Sequence, residues 1–115
     1  MGDHATEALA DLLGALAHPD RLRLLLRLTE GECDVATLAE ATGLSQPRTS
    51  QHLGLLRAHH VVGVQRDGRR HVYSLAHEGL PAWLAEGAAF LVEDAERSKT
   101  MVDALRALAL GFEGG

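Results

Sequence analysis

Leu44-Ser45-Gln46-Pro47-Arg48-Thr49-Ser50-Gln51-His52-Leu53-Gly54-Leu55-Leu56-Arg57 is the stretch on which the reading of this chain turns. Ser45 is a natural N-cap, because its hydroxyl can accept from the first free backbone N–H groups. Pro47 falls in the first turn, where a missing N–H costs nothing. Leu44, Thr49, Leu53 and Leu56 recur at helical spacing and mark a buried stripe. Gln46, Arg48 and Gln51 lie off that stripe. Arginine can make a bidentate hydrogen bond to guanine and glutamine to adenine, so these side chains suit base edges in a DNA groove.

Immediately upstream, Val35–Thr42 predicts a short helix capped by Asp34, with Val35, Leu38, Ala39 and Thr42 on its inner face. Gly43 follows and can take the left-handed conformation that ends a helix. Helix, glycine-containing turn, helix is the helix-turn-helix plan, here over residues 35–57. An αα-hairpin used only for packing is the alternative, and the polar outer face of the second helix argues against it.

Downstream, Val61-Val62-Gly63-Val64-Gln65-Arg66 and Arg69-Arg70-His71-Val72-Tyr73-Ser74-Leu75 flank Asp67-Gly68, a strong hairpin signal. The second run alternates, with His71, Tyr73 and Leu75 on one face and Arg70, Val72 and Ser74 on the other. Arginines around a tight tip suit a wing that grips phosphate over residues 61–75. A hairpin that merely caps the core is the alternative.

Upstream of the helix pair, an amphipathic helix is expected over residues 3–17, with Ala5, Ala8, Leu9, Leu12, Leu13 and Leu16 on a broad apolar face. His18-Pro19-Asp20 breaks it. A second helix then carries Leu22, Leu25, Leu26 and Leu28 inward and Arg21, Arg23 and Arg27 outward. Glu32-Cys33-Asp34 reads as an extended link, able to pair as a stub of strand. After the wing, a helix is expected over 79–95, with Leu80, Trp83, Leu84, Ala88, Leu91 and Ala95 at helical spacing, and a last one over 99–110. These terminal helices, 3–17 and 79–110, exceed what one small domain needs for cover, and helix-on-helix dimerisation is their natural use; for 3–17 the alternative is that it simply covers the core.

The chain has 115 residues, enough for one domain spanning 1–115. A single cysteine, Cys33, excludes an intrachain disulfide and a thiolate cluster. No run of apolar residues is long enough to span a bilayer, and the acidic N-terminal stretch lacks a signal pattern, so a cytoplasmic location is expected. The net charge of −5 opposes nucleic acid, but its distribution does not. Residues 45–72 hold five arginines and one aspartate, net +4, which leaves −9 on the rest. Phosphate responds to the local field. There is no glycine-rich phosphate loop, no His-Glu-x-x-His and no carboxylate pair beside a nucleophile, so an enzyme is not expected.

Taken in order, Ala17-His18-Pro19-Asp20-Arg21-Leu22, Leu38-Ala39, Leu44-Ser45-Gln46-Pro47-x-x-Ser50-x-His52-Leu53-x-x-Leu56-Arg57, Arg66-Asp67-Gly68-Arg69 and Val72-Tyr73-Ser74-Leu75 resemble the ArsR/SmtB family of bacterial winged-helix repressors. The resemblance covers roughly residues 9–91. It implies a mainly α fold with a small β-hairpin: four helices, the hairpin, a fifth helix and here a C-terminal helix, assembled as a homodimer. It also implies operator binding by a repressor that an effector relieves. The DNA-binding set is then Ser45, Gln46, Arg48, Ser50, Gln51, His52, Arg66, Arg69 and Arg70, and the partners are double-stranded operator DNA and a second copy.

The effector half of the resemblance is thinner. Where many members carry Cys-x-Cys, this chain has Asp34-Val35-Ala36 beside Cys33. The positions that hold zinc, nickel or cobalt between C-terminal helices correspond to His77, Gly79, Phe90 and Glu93, of which only His77 and Glu93 can ligate. Leu55 and His59 stand where other members place cysteines. The candidate ligands are His77, Glu93, Cys33 and His4, for a divalent metal such as Zn, Ni or Co. A metal-independent regulator responding to redox state or a protein partner is the alternative, and a winged-helix module that has lost DNA binding is a further one.

Overall fold

The computed structural model describes residues 2–94 and 98–114. The chain forms two compact units, Met1–Ala76 and His77–Gly115. The first contains α1 (Gly2–Leu16), α2 (Pro19–Leu28), β1 (Cys33–Asp34), α3 (Val35–Thr42), α4 (Gln46–Ala58), β2 (Val62–Asp67) and β3 (Arg70–Leu75). The second contains α5 (Leu80–Asp94) and α6 (Lys99–Glu113), which pack on each other.

The core of the first unit is aliphatic. Leu24, Leu25, Leu38, Leu53 and Leu56 have no solvent exposure, and each such leucine contributes roughly 1.5–3 kcal/mol of burial. Thr49 is equally buried, and its hydroxyl donates to the Ser45 carbonyl at 2.9 Å, so no polar group is stranded. α3 meets α4 through the expected turn. Asp34 accepts from Thr37 N at 2.8 Å at the start of α3, and Gly43 adopts φ 74° and ψ 16° at its end. The Leu44 N–H then returns to the Ala39 carbonyl at 3.1 Å, satisfying a helix-end acceptor.

The stub of strand does pair. β1 runs antiparallel to β3, with Cys33 opposite Tyr73 and Asp34 opposite Val72, and the sheet order is β1-β3-β2. β2 and β3 pair from Val62–Leu75 out to Asp67–Arg70, so the tip is Gly68-Arg69. Gly68 takes φ 64° at the first tip position, a conformation that favours glycine.

Four details depart from the expected pattern. In α2 the buried stripe is Leu24, Leu25 and Leu28, while Leu22 and Leu26 are half-buried. Arg21 is not outward: its Nε donates to the Ala15 carbonyl and its Nη2 to the Gly14 carbonyl at 3.3 Å, closing the C-terminal end of α1. In the second unit, α6 runs through Gly111 to Glu113, because Phe112 continues the Ala109 stripe and is 2% exposed. Small residues of α5, Ala85 and Ala88, are buried, whereas Trp83, Phe90 and Leu91 are exposed. Ala95, at the end of the expected α5 stripe, lies outside the described residues.

Candidate nucleic-acid interface

α4 is oriented by its buried residues. With Thr49, Leu53 and Leu56 turned into the core, the 3.6-residue period leaves Gln46, Arg48, Ser50 and Gln51 exposed. Ser45 caps the helix by accepting the Arg48 N–H at 3.3 Å. The polar face is therefore a consequence of core packing and capping, and the side chains on it are exposed and bear hydrogen-bonding groups.

The wing's arginines differ from one another. Arg66 Nη2 lies 3.5 Å from His71 Nε2 across the hairpin. Arg70 is engaged by Asp34 at 3.1 Å and lies 4.0 Å from Asp67. Arg69, at the tip, has no ion pair or side-chain hydrogen bond among the described residues. The Asp34 carboxyl is held below the ordinary carboxylate range, first by its bonds from Thr37 and then by Arg70.

His52 is placed differently from the rest of the expected DNA-binding set. Its side chain is only 13% exposed and turns toward the start of α2. Its Nε2 lies 3.8 Å from Asp20 Oδ2, its Nδ1 lies 3.4 Å from Arg21 Nη1, and its ring stands 4.7 Å from that of His18. Burial lowers its pKa, with His18 and Arg21 adding to the effect against the opposing pull of Asp20, so the imidazole is neutral at pH 7.

Asp20 is the hub of this corner. Its Oδ1 accepts from Arg23 at 2.8 Å, and its Oδ2 lies 3.7 Å from Arg48 Nη2 and 4.0 Å from His18 Nδ1. His18 is also the N-cap of α2, its Nδ1 accepting the Asp20 N–H at 3.0 Å. In the sequence, His18-Pro19-Asp20 reads as a helix break. The signal it offered was an N-capping histidine followed by proline and an acid, and nothing in the local pattern links that tripeptide to His52.

The residues named as candidate ligands are not drawn into a common cluster among the described residues. Cys33 is buried at 5% exposure in β1, and burial pushes its thiol above the ordinary range, which disfavours the thiolate. His4 is exposed on α1, and His77 is exposed at the start of the second unit. The Glu93 side chain lies outside the described residues. The set of metal-ligating side chains that does converge among the described residues is His18, Asp20 and His52. No described helix is long and apolar enough to cross a membrane.

Residues 18–62 match the profile of the bacterial regulatory protein, arsR family. The chain is 39% identical over 89 residues to the HTH-type transcriptional repressor SmtB of Mycobacterium tuberculosis, a match covering 77% of this chain and 66% of that protein, just under two thirds of its length. It is 38% identical over 82 residues to the HTH-type transcriptional regulator YgaV of Escherichia coli, covering 70% of this chain and 83% of the relative. Among solved structures, it is similar to the solution structure of the homodimeric winged helix-turn-helix DNA-binding domain of Mb0332 from Mycobacterium bovis. That likeness has a TM-score of 0.75 and 28% identity, over 85% of this chain and 91% of the other.

Proposed function

Because the chain belongs to the ArsR family of bacterial regulatory proteins, we propose that it is a cytoplasmic transcriptional repressor that binds operator DNA as a homodimer and is controlled by an effector. The observation that carries this reading is the exposed row Gln46, Arg48, Ser50 and Gln51 on α4, set opposite the buried Thr49, Leu53 and Leu56. Arginine and glutamine on a helix placed by its core contacts are the side chains that read guanine and adenine in the major groove. Ser45 both caps α4 and stands where a helix N-terminus meets phosphate. In the wing, Arg69 is the phosphate or minor-groove contact, with Arg66 beside it and Arg70 divided between DNA and Asp34.

Homodimerisation is supported by apolar side chains left bare in each unit: Leu9 and Leu13 on α1, and Trp83, Phe90, Leu91 and Leu110 on α5 and α6. Exposed apolar surface of this kind marks a protein interface. A two-fold dimer presents two copies of α4 to the two halves of a palindromic site.

The test is a titration of the purified chain against labelled DNA from upstream of its own gene and against random duplex of equal length, at several salt concentrations. Binding to the upstream DNA at least about a thousandfold tighter than to random duplex is expected of a specific regulator. Equal affinity for both would reject operator recognition.

A further inference from the structure

We propose that His18, Asp20 and His52 form a binding site for a divalent transition metal, with Zn²⁺, Co²⁺ or Ni²⁺ as the class of ion, at the junction of α2 and α4. One atom from each residue lies within 4.8 Å of the others. The shared oxygen is Asp20 Oδ2, which faces His52 Nε2 at 3.8 Å and His18 Nδ1 at 4.0 Å, while Oδ1 is occupied by Arg23. Metal–ligand bonds of about 2.0–2.1 Å place tetrahedral ligand atoms roughly 3.4 Å apart, so small side-chain rotations close the set. Two imidazoles and one carboxylate suit borderline ions, and three protein ligands leave a fourth position for water. None of the three residues belongs to the candidate ligand set His77, Glu93, Cys33 and His4 read from the sequence.

The surrounding arginines set the terms of binding. Arg48 reaches the same Oδ2 at 3.7 Å from an exposed position, so an arriving cation displaces it. Arg21 yields its long 3.4 Å contact with His52 Nδ1 and keeps its bonds to the carbonyls of Gly14 and Ala15. The metal takes the His18 lone pair that now accepts the Asp20 N–H, and that first-turn donor passes to solvent.

Occupancy acts on the operator-reading helix directly, a consequence that rests on the function proposed above. It frees Arg48 from Asp20 and adds positive charge beside the exposed face of α4. Both changes favour DNA, so the metal tightens operator binding, acting as a co-repressor.

Co²⁺ titration of the full chain near neutral pH, without DNA, tests the site on its own. The expected result is visible ligand-field absorption of a four-coordinate ion that saturates at one Co²⁺ per protomer. His18→Ser, which keeps an N-cap, and Asp20→Asn should each weaken binding by about tenfold or more. Absence of the absorption in the native chain, or unchanged affinity in both variants, overturns the site. Loss on His77→Ala while His18→Ser binds normally overturns it too, by placing the ion elsewhere. The second arm measures operator affinity with and without Zn²⁺. Tightening that His18→Ser abolishes supports the coupling, whereas no change or release from DNA in a chain that binds Co²⁺ at this site overturns the coupling alone.

Discussion

Arg70 Nε lies 3.1 Å from Asp34 Oδ2, joining the tip end of the wing's second strand to the residue that caps α3. Asp34 thus serves two elements at once, accepting the Thr37 N–H and the Arg70 guanidinium. The pairing of β1 with β3 brings these residues together, since Asp34 sits opposite Val72 and two residues from Arg70 along the neighbouring strand. The wing is therefore tied to the helix-turn-helix by a side-chain link as well as by backbone pairing. On the proposed function, the same link takes one of the wing's arginines partly out of use for DNA.

That division separates the two neighbouring arginines in a binding experiment. Arg69→Ala should weaken binding to every duplex alike and reduce the slope of log K against log salt by about 0.9, the share of one phosphate contact. Arg70→Ala should change the slope by less, because its charge is already offset by Asp34. Salt titrations of the two variants on one random duplex give the comparison. Equal slopes for Arg69→Ala and the native chain would remove the tip from the interface.

The Asp34 carboxyl also sets an acid limit. Its folded-state pKa lies below the ordinary 3.8 because the charged form accepts from Thr37 and Arg70. Its contribution to stability is fully present above that unfolded value and is lost as pH falls through the lowered folded value. Asp34→Asn keeps a good N-cap but removes the charge. The native chain should be more stable than the variant near neutrality, with the difference shrinking as pH drops below about 3.8. Urea melts across that range measure it, and a difference independent of pH would show that the carboxylate charge contributes nothing.

Arg48 carries the clearest test of base reading. Its side chain is 62% exposed and only loosely paired with Asp20 at 3.7 Å. Arg48→Ala should cost about 1–3 kcal/mol on the operator, through loss of a bidentate base contact, and much less on random DNA. Parallel titrations on both duplexes decide it. Equal losses would reassign Arg48 to phosphate.

Most of the first unit was legible from residue patterns, and the reasons are local. Ser45 with Pro47, Asp34 at the head of α3 and Gly43 at its end are capping chemistries that act within four residues, and all three sit where that chemistry requires. The inward row Thr49, Leu53 and Leu56 follows from period alone. What escaped was non-local. Arg21 carries the charge of a surface residue, yet the open carbonyls at the end of α1 draw it inward. The meeting of His18 and Asp20 with His52 depends on how α2 crosses α4, which spacing along the chain does not encode. In the second unit, alanines took the buried positions and Trp83 and Leu91 the exposed ones, a choice that a simple apolar stripe cannot resolve.

The packing beneath α4 should be costly to disturb. Leu53 has no exposure and lies one turn beyond Thr49 on the buried face. Leu53→Ala should lower unfolding stability by about 2–5 kcal/mol, the lost burial plus the cavity left behind. Its C-terminal neighbour Gly54 has open space around it, and an alanine there removes backbone freedom from the unfolded chain at an exposed helical position. Gly54→Ala should therefore raise stability by about 0.4–1 kcal/mol. Chemical denaturation of both variants checks the pair, and a Leu53→Ala chain as stable as the native one would mean that α4 is not seated through this residue.

The exposed apolar residues of the second unit give the last test. Phe90 is 71% exposed and Leu110 is 66% exposed, on α5 and α6 respectively. An aromatic side chain left this bare is explained if a second copy covers it, since burial of such groups drives association. A charge introduced there has no partner and must be desolvated for the dimer to form. Phe90→Glu should therefore shift the sedimentation coefficient from dimer toward monomer. Because Phe90 is already in water, its thermal unfolding as a monomer should remain cooperative. Operator affinity should fall in step with the dimer fraction and recover at high protein concentration, where mass action restores the pair. On α1, Leu13→Glu applies the same test to the other bare face, Leu13 being 45% exposed. If Phe90→Glu and Leu13→Glu both sediment as the native chain does, neither face holds the two copies together, and the two-fold presentation of α4 to DNA would have to arise elsewhere on the surface.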